Sequence, residues 1–457
     1  MRNINLLLAL AAILLSISIE AQDLPVIKAS KPIAQFRIDN GPASGNWSIM
    51  PEIELDVFPV VVEKGQTANV TFSTDEGSLS FQIKPNEKKT FIVLLSGDTA
   101  MTQIRAVAPA AQYTKSYIKE NRGKWSVEVV PAQELLQVIF AITPTGIADV
   151  KSFIINHDTT AYYLEVLEKF LPFRDEPIVE KIDAQLKSGQ YINLKANACA
   201  MEMDENGRIV KSPIFDRMSG AVNPLDSLLD ELNEFSKKTD FPNFYRQHKD
   251  FYDSLIQWHE SAVPTKVQWD WLEAQFPGTT YDHYRITFSP LVKGNHSTVR
   301  FNNNGFKQAI MFIRPPYRVS GVSEKVSNGL ITRFVFTEID HNYVNPESDK
   351  HLNRINQLFA DRNKWTNGGE SKGYNSAYTV FNEYMTWSVY LVYCYDKYSK
   401  EDYDLISDRI IPYVSGRRGF SKFAEFHSQL LSLYQNRGSS TLSQLYPTLL
   451  DWAESME

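Results

Sequence analysis

The sequence predicts an α+β protein, with an N-terminal β-sandwich-like domain followed by a mostly helical domain that carries a small sheet. Three observations predict it. Apolar residues alternate with period two as far as about residue 107, the period lengthens to that of a helix beyond Ala108-Pro109-Ala110, and strand-like runs return inside the helical part. The chain of 457 residues is long enough for two or three domains with sizeable cores, and 43% hydrophobic with 22% charged residues is the profile of a globular protein. Lys plus Arg number 47 against 54 Asp plus Glu, a formal charge of −7 that offers no general attraction to nucleic acid or anionic lipid. No nucleic-acid partner is expected.

Taken in order, residues 1–21 read as a signal peptide. Arg2 precedes the apolar run Ile4 to Ile19, and small Ala21 before Gln22 makes a cleavage point. The mature chain is expected to be secreted or periplasmic, and no later apolar stretch approaches the length of a transmembrane segment. Residues 30–115 form the β-rich domain. Its runs 53–57, 68–72, 79–83 and 90–95 are rich in β-branched and aromatic residues, are bounded by turn clusters such as Lys84-Pro85-Asn86-Glu87, and are expected to pair antiparallel. Residues 120–457 form the helical domain. Helices are expected at Pro131 to Ile142, Tyr162 to Phe170, Pro224 to Ser236 and Phe241 to Ser261, then strand-like runs between 264 and 317, notably His283 to Phe288 and Ala309 to Arg314. Further helices follow at about 328–344, 352–361, 376–398, 402–413 and 420–435. Gly368 to Gly373 reads as an ordinary surface loop.

Chemistry concentrates in two of these helices. The first holds the pair Glu338-x-x-His341. On a helical register Ile331, Phe334, Val335, Glu338 and His341 share one face, which sets a carboxylate and an imidazole in an apolar stripe. Burying them costs free energy unless they find partners. Pro346 is expected to end that helix. In the second helix Glu383 shares a stripe with Val380, Trp387, Tyr390, Leu391 and Cys394. Two helices that each turn an acid inwards, one with a histidine beside it, can converge on a metal; imidazole and one carboxylate act as ligands and the other carboxylate as base.

These residues resemble the active-site helix of zincin metallopeptidases of the glutamate-ligand (gluzincin) type, in which His-Glu-x-x-His supplies two ligands and the base and a later helix supplies a glutamate. From about 30 to 440 the chain is similar to an exported family of unknown function assigned to that superfamily, through the helix at Glu134 to Thr143, His341 to Pro346, and Asn382-Glu383-Tyr384. The resemblance implies zinc as cofactor, Glu338 as general base, His341 and Glu383 as metal ligands, and a peptide or protein substrate. Thr337 stands where the first histidine is expected, and Thr is not an ordinary zinc ligand. Three arrangements stay open: a metal-free cleft in which Thr337, Glu338 and His341 bond one another, an iron or manganese site that recruits Glu338, or a zinc site completed by another side chain or a water network. The implied function is metallopeptidase-like hydrolysis where a metal is bound; the alternative is a non-catalytic peptide- or glycan-binding module of the cell envelope.

Other residues are assigned blander roles. Tyr343, Tyr374 and Tyr384 are expected to pack, although each carries a hydroxyl able to donate to an oxyanion. His283 and His351 are candidate replacement ligands, and Arg417-Arg418 either binds a substrate carboxylate or forms salt bridges. No Gly-rich phosphate loop or Gly-x-Ser-x-Gly turn is present. Two cysteines, Cys199 and Cys394, cannot build a disulfide framework, and their pairing and the oligomeric state are not legible in the sequence.

Overall fold

The structure, a computed structural model, describes residues 24–456 apart from positions 40, 42, 50, 52–54, 96, 108–111, 150–153, 158–160, 218–222, 295 and 375. The signal-peptide segment, residues 1–21, lies outside the described residues, as does part of the 53–57 run. The fold is mixed α+β, and the chain divides into two compact units, Met1–Ala108 and Pro109–Glu457.

In the first unit eight strands form two four-stranded sheets. One, in the order β3(Ala43–Ser48)-β2(Ile33–Ile38)-β5(Ala68–Ser73)-β6(Ser78–Ile83), is antiparallel throughout. The other, β1(Val26–Ala29)-β7(Lys88–Leu95)-β8(Asp98–Val107)-β4(Asp56–Val61), is mixed: only β7 and β8 run antiparallel, while β1 with β7 and β4 with β8 run parallel. This corrects the expectation of an all-antiparallel domain. β1 leads directly into β2 of the other sheet, so its neighbour β7 is distant in sequence and no hairpin fixes their relative direction. Alternate residues of both sheets meet in one core of Phe36, Val70, Phe72, Phe91, Val93 and Ile104, with Phe36 stacked on Phe58 at 3.5 Å between ring centroids.

The second unit is built on the sheet β13(Ser297–Asn303)-β14(Phe306–Ile313)-β12(His283–Phe288)-β9(Lys124–Glu128), parallel except for the edge strand β13. A small hairpin of β10(Met201–Met203) and β11(Ile209–Lys211) stands apart from it. Eight helices matter to the site and its support: α1 Pro131–Ile142, α2 Tyr191–Asn197, α3 Thr265–Gln275, α4 Glu324–Asp349, α5 Ala377–Lys397, α6 Lys400–Pro412, α7 Phe423–Gln435 and α8 Leu442–Ser455. α3 replaces the strand-like reading at the start of 264–317. Its buried Trp269, Trp271 and Leu272 sit at helical spacing, and Gln268 reaches Thr332 of α4.

The long helix α4 starts at Ser323, whose hydroxyl accepts from the Val326 N–H, and α5 starts at Ser376 in a reciprocal cap with Thr379. α4 runs through Pro346 instead of stopping there. The two carbonyls just before it are held from outside as well, Asn345 accepting from Tyr378 at 3.2 Å and Val344 from Tyr446 at 3.3 Å. α5 is buried on almost every side, and α4 packs along it. Among the described residues no helix is long and apolar enough to cross a membrane. Both cysteines are free and buried, and burial pushes each thiol up to about 12.

Candidate functional site

The site is a cavity of about 630 Å³ within the second unit. α4 lines it with Arg333, Phe334, Thr337, Glu338 and His341, one residue per step of a helical face, and α5 adds Glu383, Thr386 and Trp387. The three residues singled out in the sequence, Glu338, His341 and Glu383, therefore share one cavity. Asp340, on the far side of the same helical turn, is fully buried and does not line it.

The rest of the wall comes from segments without a motif. His296 precedes the edge strand β13, Arg314 and Tyr317 follow β14, and Tyr413, Arg417 and Arg418 belong to a wide π-type turn after α6. A glycine clip fixes that turn. Gly368-Gly369 lies so close to Arg417-Gly419 that a Cβ on Gly419 would meet the Gly368 carbonyl oxygen at 1.7 Å, and the Ser371 N–H donates to the Arg418 carbonyl at 2.7 Å. Gly369 and Gly419 have φ of 66° and 83°, the left-handed region that glycine enters without strain. The stretch 368–373 is thus a structural clamp for the two arginines, not the ordinary surface loop its composition suggests.

Glu383 is the electrostatic hub. Its Oε1 lies 3.5 Å from His341 Nε2, and its Oε2 is ion-paired with Arg418 Nη2 at 3.0 Å and accepts from Trp387 Nε1 at 3.2 Å. Burial alone would raise its carboxyl, yet Arg418 and His341 outweigh burial and hold it at about 2. Burial likewise opposes charge on His341, but Glu383, Asp340 and Glu338 lift the imidazole to about 9. His341 is therefore an imidazolium at neutral pH, with Nδ1 directed at Asn345 Oδ1 at 3.3 Å. Glu338 opens on the cavity with its carboxyl raised, chiefly by burial and further by Glu383, against the pull of His341 and Lys195. Lys195 of α2, fully buried, is brought down by burial to about 7.

A catalytic zinc needs three deprotonated protein ligands around one point. The donor set here does not fit. His341 Nε2 faces Glu383 Oε1 at 3.5 Å, Glu383 Oε2 is engaged by Arg418 and by the Trp387 indole N–H, and Thr337 turns its hydroxyl onto its own helix, donating to the Arg333 carbonyl at 2.8 Å. Among the described residues no three His, Cys, Asp or Glu side chains gather where they would hold a metal ion. Arg418 supplies beside Glu383 the positive charge that a metal would bring.

The other candidates are placed elsewhere. His283 pairs with Gln308 Nε2 at 2.8 Å inside the sheet, and His351 stacks on Tyr446. Tyr343 accepts from Tyr284 at 2.9 Å, and Tyr384 donates to the Trp365 carbonyl at 2.6 Å, both in the core. Tyr374 alone of the three tyrosines reaches the cavity, where its hydroxyl accepts from Arg418 Nη2 at 2.6 Å. His296, Arg314 and Arg333 were not indicated by any sequence pattern. They meet only because the end of β14 and the approach to β13 lie beside α4.

Compared with known proteins, the chain matches no family model, no curated protein and no solved structure. Fold and site by themselves define a mixed α+β protein with a cationic, aromatic-walled cavity.

Proposed function

We propose that this exported chain uses a zincin-like helix pair as a metal-independent binding module, gripping a peptide or glycan ligand in the cavity without hydrolysing it. The observation that supports this reading is the Arg418–Glu383–His341 arrangement. Each group that would bind zinc is already neutralised by another side chain, and both members of the Arg418–Glu383 pair are nearly solvent-free, with side-chain exposures of 10% and 9%. Breaking such a pair to admit a metal leaves a guanidinium buried without its partner, a cost of about 3–5 kcal/mol. Glu338 keeps the place of a general base, but among the described residues no second group stands beside it to activate a water.

The experiment is a cleavage assay on the purified mature chain. A library of unstructured peptides is incubated with wild type and with Glu338→Gln, and products are read by mass spectrometry. Binding without cleavage in both proteins is the expected outcome; hydrolysis that disappears in Glu338→Gln refutes the module and restores the peptidase.

A further inference from the structure

The cavity walls carry an ordered set of guanidinium groups. Arg333 lies over Phe334 at 4.1 Å from the ring centroid, with Trp387 and Tyr413 at 5.3 and 5.4 Å. Arg314 lies over Tyr317 at 4.0 Å, and Arg418 over Trp387 at 4.8 Å. A guanidinium held by its face against an aromatic ring keeps its N–H donors at its edge, arranged as a fork that matches a carboxylate. Arg418 is ion-paired with Glu383 and Glu370 and donates to Tyr374. Arg333 differs: its side chain is held by rings alone, with no carboxylate paired to it among the described residues.

The lining as a whole is cationic, with Lys293, Arg314, Arg333, Arg417 and Arg418 set against Glu338, Glu370 and Glu383. His296 stands among these groups with its Nε2 buried and without a hydrogen-bond partner. Burial pushes this imidazole well below its ordinary range, and Lys195, Arg333, Arg314 and Arg418 push it further, as a positive local field requires.

We infer that the ligand of this cavity is an acidic peptide, one of whose carboxylates is taken by the Arg333 fork. The inference rests on the binding reading above and specifies its ligand. A peptide fits better than an acidic glycan on two counts. Guanidinium groups already cover the rings of Tyr317, Phe334 and Trp387, which leaves little aromatic surface on which a sugar ring can stack. Glu338 in the same wall offers an acceptor to a peptide N–H group next to the donors that hold the carboxylate.

The test is calorimetric titration of the full mature chain with four probes: a Glu-rich decapeptide, its Gln counterpart with an amidated C-terminus, an oligouronate of similar length, and inorganic phosphate. The Glu peptide is expected to bind and to be recovered intact, with the Gln peptide weaker by about tenfold or more and Arg333→Gln weakening the Glu peptide by about ten- to a hundredfold. Arg333→Lys, which keeps the charge and loses the fork, is expected to fall between, and both variants are expected to keep the wild-type thermal midpoint within a few degrees. Equal affinity for the two peptides overturns the acidic ligand while leaving the binding module standing. Tighter binding of oligouronate or phosphate overturns the choice of peptide, and no binding of the Glu peptide by folded protein overturns the inference. Cleavage of the peptide that is lost in Glu338→Gln overturns the binding reading itself.

Discussion

At the scale of single residues, charge balance decides what this site does. Glu383 has its carboxyl depressed to about 2, so the stability it confers is fully present above its ordinary value near 4.5 and is lost as pH falls towards 2. His341 has its imidazole raised to about 9, so its contribution is fully present below its ordinary value near 6.5 and is lost as pH rises through 9. Replacing Glu383 by Gln removes the carboxylate that holds the proton. In that variant, an NMR titration of His341 is expected to show the imidazole deprotonating well below 9. Asp340 follows the opposite logic, because burial pushes its carboxyl well above the ordinary range. The unfolded chain releases that proton at low pH and the folded chain does not, so stability falls as pH rises above about 4. Asp340→Asn removes this titrating group while keeping the size of the side chain. It is expected to hold or raise the thermal midpoint at pH 7 and to flatten that decline, which a melting series across pH 4 to 8 reads directly.

Glu338, His341 and Glu383 were legible in the sequence because polar groups on an apolar helical stripe need a reason to be there. Their mutual arrangement was not. Whether Glu383 meets a metal or a guanidinium depends on Arg418, which lies 35 residues further along the chain on an unrelated turn.

At the scale of elements, the helices with strong apolar period were legible, α1 with its bounds as expected and α5 within a residue at either end. The failures have physical causes. α3 carries Trp and Gln in a short segment between turn residues, which leaves helix and strand readings close. α4 passes Pro346, a continuation that the local sequence does not predict, with Tyr378 and Tyr446 bonded to the carbonyls just before it. The clamp at 368–373 has the composition of a loop, and only its partner at Arg417 to Gly419 gives its glycines a task. That clamp yields a prediction. Gly419→Ala combines a left-handed backbone with a carbonyl at 1.7 Å and is expected to lower stability by more than about 1 kcal/mol. Because it displaces Arg418, it also weakens ligand binding, whereas Gly438→Ala, at φ of 60° with open space around it, carries only the backbone strain and leaves binding unchanged. Denaturant melts and titrations of the two variants separate these outcomes.

At the scale of the whole molecule, the chain divides into two units at Ala108, and each unit has its own core. All residues of the cavity belong to the second unit. A chain beginning at residue 112 is accordingly expected to unfold in one cooperative transition and to bind the same ligand with unchanged affinity; loss of the transition on truncation contradicts that independence. The mixed sheet of the first unit was beyond the sequence, since strand direction is set by pairings between segments some sixty residues apart, such as Val26 with Ile92.

The claim on which all three scales depend is that Arg418, not a metal, neutralises Glu383. Zinc titration by calorimetry at pH 7, on wild-type protein stripped with chelator, tests it most directly. Wild type is expected to show no stoichiometric binding, and a one-to-one site to appear only when Thr337→His and Arg418→Ala are combined. One tightly held zinc per wild-type chain, lost in His341→Ala, contradicts it.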